Sequence, residues 1–259
     1  MFPIFLYFDD IELNNPLRSH KEPILAAYYS LPSAPTCLNH KLKFIFPAAL
    51  FKSKDVKKFG NDRCLYKLIE IFNDLEQNGL QIKVNNQVET IYFALDPVLG
   101  DNLALNYILG FSRSFSSNYF CRFCKTCKTE CQNEAQEVSD KLRNKENYYS
   151  DVQISNVQLT GVRENSIFNK LHSFHVIENF AVDLLHDLFE GVLNYDLCHI
   201  IMYFIENKFF DLVFLNCQKA NFDYVLTEKG NKSPPLKAEH LKTYFKLKMT
   251  GREMIYVET

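Results

Sequence analysis

The spacing of apolar and polar positions changes several times along the chain, and each change marks an element. Residues 2–8, FPIFLYF, form an unbroken aromatic and aliphatic run that ends on Asp9-Asp10. A run this short, followed by turn-forming residues, predicts a buried strand. The next segment, ELNNPLRSHKEP, carries an Asn-Asn-Pro turn signal. ILAAYYS at 24–30 predicts a second strand, and KFIFPAALF at 43–51 a third strand or a mixed segment. Over 63–78, Leu65, Leu68, Ile69, Phe72 and Leu75 recur at helical spacing, and Asn78-Gly79 closes the helix. VETIYFAL at 88–95 predicts a fourth strand running into a turn, DPVLGDN, and 103–111 begin another helix.

Downstream the pattern weakens and then returns. Residues 132–170 are rich in Asn, Lys, Glu and Ser without a clear period, which predicts a linker or long insertion. Residues 176–208 are apolar at helical spacing and predict one long helix, or two with a break near Gly191. The last forty residues are lysine-rich, with Pro234-Pro235 as a breaker. The order strand, strand, strand, helix, strand, then helices predicts an α/β layer fold with a mixed sheet, flanking helices and a helical C-terminal part. The expected division is 1–131 for the sheet and a cysteine segment, 132–170 for the linker, and 171–259 for the helical region.

Composition narrows the function classes. With 259 residues, 47% of them hydrophobic and 14% aromatic, the chain can build one large core or two small ones. A net charge of −2 does not mark a nucleic-acid binder in bulk. Only local runs could touch phosphates: KLKF (41–44), KSKDVKK (52–58), KLRNK (141–145) and KAEHLKTYFKLK (237–248). Such runs are more often solvated faces. The N-terminus MFPIFLYFDD has no basic region ahead of its apolar run, so no secretory signal is expected. No run reaches the roughly 18 apolar residues of a membrane span, so no membrane partner is expected. A reducing compartment follows, with thiols or metal-bound cysteines rather than disulfides.

Half of the eight cysteines fall in YFCRFCKTCKTEC, residues 119–131. Cys121, Cys124 and Cys127 are spaced three apart and Cys131 follows four later. Zinc in structural sites takes four tetrahedral Cys or His ligands. These four could close such a site, although the tight spacing strains a single tetrahedron. His172 and His175 of LHSFH could replace two of them if the polar segment folds back, or the four could be free thiols. Cys37, Cys64, Cys198 and Cys217 are scattered and expected in the core.

The acids form the other candidate group. Asp9 ends the first strand and Asp101 follows the fourth, and two carboxylates at neighbouring strand ends can seat Mg²⁺. Asp9 and Asp10 alternate in direction, so only one can face a shared site. Asp96 precedes Pro97 and reads as a turn residue, and Glu12 lies beyond the expected strand. By spacing alone, a strand-end Asp is more often a turn former or helix cap. Asp183, His186, Asp187 and Glu190 make an acidic stripe on the apolar helix. His186 and Glu190, four apart, are expected to be a surface or interface pair.

Four motifs together resemble a known family. YFDDIELNNPLRSHK resembles the start of the catalytic domain in CACTA (En/Spm-like) DNA transposases, most closely their animal-type relatives. VLGDNLALNYILGF resembles the second-acid segment, YFCRFC the CxxC motif, and VDLLHDLFEGVLNY the "MHD-LEGV" block. They occur in the family's order and span nearly the whole chain. The resemblance implies an RNase H-like fold whose three acids hold two Mg²⁺ (or Mn²⁺) ions for DNA cleavage and strand transfer, with DNA as partner and a nuclear location. Asp9 matches the first acid, with Asp10 as second choice, and Asp101 matches the second. The third acid, a Glu beyond an HxxxxH pair, has no match, and Glu190 belongs to a different block. The chain is therefore expected to be a transposase-derived protein truncated before that acid and inactive alone, with a missing C-terminal transposase portion as its partner. In the family, the CxxC pair and the HxxxxH pair share a zinc site. Here Cys121, Cys124, Cys127 and Cys131 are left as candidate Zn²⁺ ligands. The rival expectation is a non-enzymatic DNA- or protein-binding module on the same scaffold.

Overall fold

In the computed structural model, residues 1–12, 23–35, 41–223, 234–242 and 247 are described, and the chain divides into two units, Met1–Ala181 and Val182–Thr259. Cys37 and most of the lysine-rich C-terminal segment lie outside the described residues. The first unit is built on β1 (Phe2–Glu12), which continues past the predicted end through both aspartates. Its side chains alternate across the sheet, and the even-numbered Ile4, Leu6 and Phe8 are buried in the core. Burying each such side chain contributes about 1.5–3 kcal/mol, which holds this face inward.

β1 pairs antiparallel with β2 (Pro23–Ser30), which pairs antiparallel with β3 (Phe46–Lys52). On its other side β1 runs parallel to β6 (Phe93–Gly100), giving a mixed four-stranded sheet in the order β3-β2-β1-β6. Ser53–Phe59 (α1) follows β3, and Tyr66–Gln77 (α2) buries Leu68, Ile69 and Phe72 as the helical spacing predicts. Asn78 caps α2, and Gly79 has φ +70°, where a Cβ would meet the Ile91 carbonyl oxygen at 2.8 Å. Glycine is required there.

The single strand expected over 88–95 is two strands. Leu80–Val84 (β4) and Gln87–Ile91 (β5) form a separate hairpin, and β6 begins at Phe93. The two residues between β4 and β5, Asn85 and Asn86, have φ of 49° and 65°, the left-handed pair a tight two-residue hairpin turn needs. The segment DPVLG is not a turn but the body of β6, and Asp96 accepts a hydrogen bond from the Asn179 amide at 3.3 Å. Asn102–Ile108 (α3) then buries Leu105 and Ile108.

Of residues 132–170, expected as a linker or insertion, 132–140 are exposed, whereas the stretch from Arg143 onward packs into the first unit's core. Lys145–Ile154 (α4) opens with a reciprocal capping box between Asn144 and Asn147. Tyr148, Val162, Ile167 and Phe168 are buried with β1, and the Phe168 ring meets Phe8 edge-on at 6.1 Å. The segment lacks an apolar period because polar groups do much of its holding. Arg143 and Asp151, both buried, pair at 2.8 Å.

The second unit begins with a π-helical stretch, Leu185–Val192, that passes at the kinked Gly191 (φ −91°, ψ −106°) into α5 (Leu193–Glu206). The break expected near Gly191 is thus present. Leu212–Asn221 (α6) follows, and Cys198, Leu241 and Leu247 form a small core with Ile201, Ile205 and Leu236. Although no apolar run was expected to reach a membrane span, Leu185–Glu206 is long and apolar enough to cross a bilayer by length and composition alone. Asp187, Glu190 and Asp196 lie within it.

Candidate functional site

The ends of β1 and β6 bring two carboxylates together. Register decides which ones. Asp10 stands opposite Leu25, whose side chain is in the core, so Asp10 lies on the core-facing side of the sheet. Asp9 stands opposite Ala26, on the other face. In the parallel pair, Phe8 aligns with Gly100, and a Cβ on Gly100 would meet the Phe8 carbonyl oxygen at 2.7 Å. Only glycine permits that approach, which sets Asp101 beside the end of β1.

A cavity of about 240 Å³ is lined by Asp10, Asp101, Lys57, Leu103, Ala104, Tyr107 and Arg113. Asp10, not Asp9, shares it with Asp101. Asp10 Oδ1 accepts a hydrogen bond from the buried Ser53 hydroxyl at 2.6 Å. Asp101 caps α3, its Oδ1 accepting from the Ala104 backbone N–H at 2.6 Å. Each acid therefore has one oxygen fixed by a protein donor, which orients the carboxylate. Among the described residues no third acid lines the cavity, and no three His, Cys, Asp or Glu side chains form a ready metal-holding group. Two oriented carboxylates fit one hard divalent cation that keeps several waters and shares substrate oxygens. They fall short of the three-acid set implied by the resemblance.

The basic wall of the cavity was not anticipated from the sequence. Arg113 lies 4.1 Å above the Tyr107 ring. Arg163 stands 5.3 Å from the same ring, where it donates to the Tyr107 carbonyl at 2.9 Å and pairs with Glu164. Burial raises the Tyr107 phenol above its ordinary value, while Arg113 and Arg163 pull it down. Burial, and then the like charge of Arg163, lower Arg113 below the ordinary guanidinium value. Lys57, from α1, was part of the KSKDVKK run, so that run offered a signal. Arg113 and Tyr107 sit in ordinary-looking sequence and carried none.

The cysteine segment lies elsewhere on the same unit. Phe123 and Cys124 backbone N–H groups point at Cys121 Sγ, at 3.3 and 3.4 Å. The segment pairs with residues 141–143, with Arg143 N–H donating to the Phe123 carbonyl and Lys125 N–H to Lys141, each at 2.9 Å. The Cys121 and Cys131 thiols each lie close enough to Cys124 for its charge to oppose their ionisation. Cys127 turns to Thr129 Oγ1 at 3.2 Å. Burial pushes the Cys121 thiol up to about 11. Burial also opposes ionisation of Cys124, but Thr126, Cys121 and the charge of Arg143 together outweigh it, and this thiol lies below its ordinary value. Backbone donors aimed at the Cys121 sulfur favour its thiolate, but burial outweighs them, and as placed these cysteines do not form a ready metal-holding group.

The histidines considered as substitutes do not join them. His175 is buried, with Nδ1 accepting from Ile177 N–H and Nε2 within 3.2 Å of the Tyr149 hydroxyl. His172 is exposed. Of the scattered cysteines, Cys198 is buried and Cys64 packs against the core as expected, whereas Cys217 is exposed. In the second unit His186 Nδ1 is 2.7 Å from Asp183 and Nε2 is 3.9 Å from Glu190. Asp183 Oδ1 also accepts from the His186 backbone N–H at 3.1 Å, so this group includes a helix-start contact. No known family model matches the chain, and no curated protein is similar to it.

Proposed function

We propose that the first unit is an RNase H-like domain of CACTA-type transposase descent, in which Asp10 and Asp101 are the surviving pair of metal-holding acids. The observation that carries the reading is their convergence on one cavity from the ends of the parallel neighbours β1 and β6. The antiparallel β1–β2–β3 meander with β6 alongside suits that architecture. A divalent ion such as Mg²⁺ or Mn²⁺ held there would polarise a phosphodiester oxygen and activate water. Asp10 and Asp101 would orient it, with Ser53 and the α3 cap fixing their unused oxygens. With two acids at the cavity, the chain's ancestral DNA cleavage and strand transfer are weak or absent. A nuclear location and DNA as partner go with this reading. The CxxC segment is proposed to bind one zinc through Cys121, Cys124 and Cys131, with Cys127 closing the set after a rotamer change away from Thr129.

One observation favours a second reading, a non-enzymatic DNA-binding module: the cavity carries as many cationic side chains, Lys57 and Arg113, as acids. Incubation of a DNA duplex with the protein in Mg²⁺ or Mn²⁺ separates the two. Nicking that disappears in Asp101→Asn supports the residual enzyme. Binding without nicking, unchanged in Asp10→Asn and Asp101→Asn, supports the module and rules out the metal role. Native mass spectrometry of protein purified without chelator reads the zinc, and absence of bound zinc would reject that part of the proposal.

A further inference from the structure

The cavity's basic side has chemistry of its own. Arg113 makes no ion pair among the described residues; its guanidinium carbon stands 4.1 Å from the centroid of the Tyr107 ring. A cation–π contact does not consume the guanidinium's planar fork of donors, which suits two phosphate oxygens at once. Lys57 likewise lines the cavity without an ion-pair partner among the described residues. Tyr107 lines the cavity as a residue, but its hydroxyl is itself buried without a hydrogen-bond partner, so Arg113 and Lys57 are the polar groups open to a ligand on this side. Arg163 is different. Its Nη2 is committed to the Tyr107 carbonyl and Glu164, so it holds Tyr107 in place rather than reaching outward. A guanidinium and an ammonium therefore line one cavity, beside two carboxylates.

We propose that Arg113 and Lys57 form a seat for a phosphate of a nucleic-acid backbone, placed beside Asp10 and Asp101. The proposal rests on the phosphodiester reading above and names the groups that position its substrate. Phosphate is favoured over other anions by the charge balance. A free anion beside two carboxylates would be repelled, while a phosphodiester that shares a divalent cation with them is not. The fork and the ammonium then neutralise the non-bridging oxygens, as Arg and Lys do at phosphates generally. Arg113 and Lys57 are positioning residues, and no proton or bond change is assigned to them.

The test is equilibrium binding of a short fluorescein-labelled DNA duplex, measured by anisotropy in Ca²⁺ and in EDTA across a salt series. Ca²⁺ is chosen because it supports metal-bridged binding with little cleavage. The full chain is compared with Arg113→Gln, Arg113→Lys, Lys57→Gln and Asp101→Asn, each checked by its melting curve. Arg113→Gln is expected to weaken Ca²⁺-dependent binding about tenfold. It should also lower the log–log salt slope by about one. Arg113→Lys should keep the slope and recover only part of the affinity, because the fork is lost. If Arg113→Gln and Lys57→Gln bind like the unaltered chain while Asp101→Asn loses the Ca²⁺ dependence, the seat is wrong and the metal reading stands. If the Arg113 variant weakens binding but neither Ca²⁺ nor Asp101 matters, the seat stands and the metal reading fails. A duplex that the unaltered chain does not bind overturns the seat.

Discussion

Asp151→Ala tests whether the segment 132–170 is structural. The Arg143 and Asp151 side chains are 1% and 4% exposed, and Nη1 donates to Oδ2 at 2.8 Å. Arg143 also donates to the Thr160 carbonyl at 2.6 Å and the Cys121 carbonyl at 3.3 Å, while Lys125 stands 3.4 Å from Asp151. One guanidinium thus ties the cysteine segment, α4 and the turn before Gly161 together. Removing the acid leaves a buried cation with only carbonyl partners, at a cost of about 3–5 kcal/mol. Against a total stability of about 5–15 kcal/mol, that is a large fraction. For a unit of this size each kcal/mol moves the midpoint by about 2–4 °C, so the expected drop in Tm is roughly 6–20 °C. Calorimetry of the full chain reads it as a shift of the first unit's transition. The double variant Arg143→Met/Asp151→Leu should recover part of the loss but not all. The Thr160 and Cys121 carbonyls lose their donor, at about 1 kcal/mol each. A drop of under about 1 kcal/mol for Asp151→Ala would mean the pair is solvated, and the segment is then the linker its composition suggests.

Further outcomes follow from single contacts. Gly100→Ala drives a Cβ to within 2.7 Å of the Phe8 carbonyl, so it should destabilise by about 1–3 kcal/mol in a urea titration; an unchanged midpoint would mean β1 and β6 are not held as described. Asp101→Ala should cost about 0.5–2 kcal/mol through the lost α3 cap while Asp101→Asn costs almost nothing, and equal losses in the two would remove the capping role. Burial, and then Lys145, hold the His175 imidazole below its ordinary value of 6.5. The unfolded chain therefore binds the proton more readily. His175's contribution to stability is full above pH 6.5 and is lost as the pH falls from there through the lower folded value. His175→Gln should flatten the Tm-against-pH curve below 6.5, and an unchanged slope would exclude the histidine as its source.

The large features of the fold were legible because they rest on long apolar runs or on punctuation. The α2 stripe, the Asn78-Gly79 stop and the Gly191 break all appear where periodicity and glycine placed them. The hairpin β4–β5 was missed because its strands are short and largely exposed, so no apolar run announced them; Asn85-Asn86 was the one available signal. The packing of the stretch from Arg143 to Lys170 was not legible because part of its burial rests on polar contacts, and binary patterning does not register a buried arginine bonded to carbonyls.

The site shows the same division more sharply. FPIFLYF is apolar at odd and even positions alike, so nothing in the run says which parity faces the core, and the choice between Asp9 and Asp10 could not be made from it. Tertiary register makes the choice, through the opposition of Asp10 to Leu25. Asp101 illustrates why a strand-end aspartate is ambiguous from sequence. The cap to Ala104 occupies Oδ1 alone, and a carboxylate has acceptor capacity on both oxygens. A helix cap and a cation ligand are therefore compatible uses of one side chain, and the cap fixes the rotamer that aims the second oxygen. What distinguishes a site from a mere cap is the company it keeps. Here that company is a second oriented carboxylate and, on the same cavity, Lys57, Tyr107 and an Arg113 that makes no ion pair among the described residues. Those neighbours come from α1, α3 and the chain just after α3, and only the close glycine contact between β6 and β1 brings the acids to them.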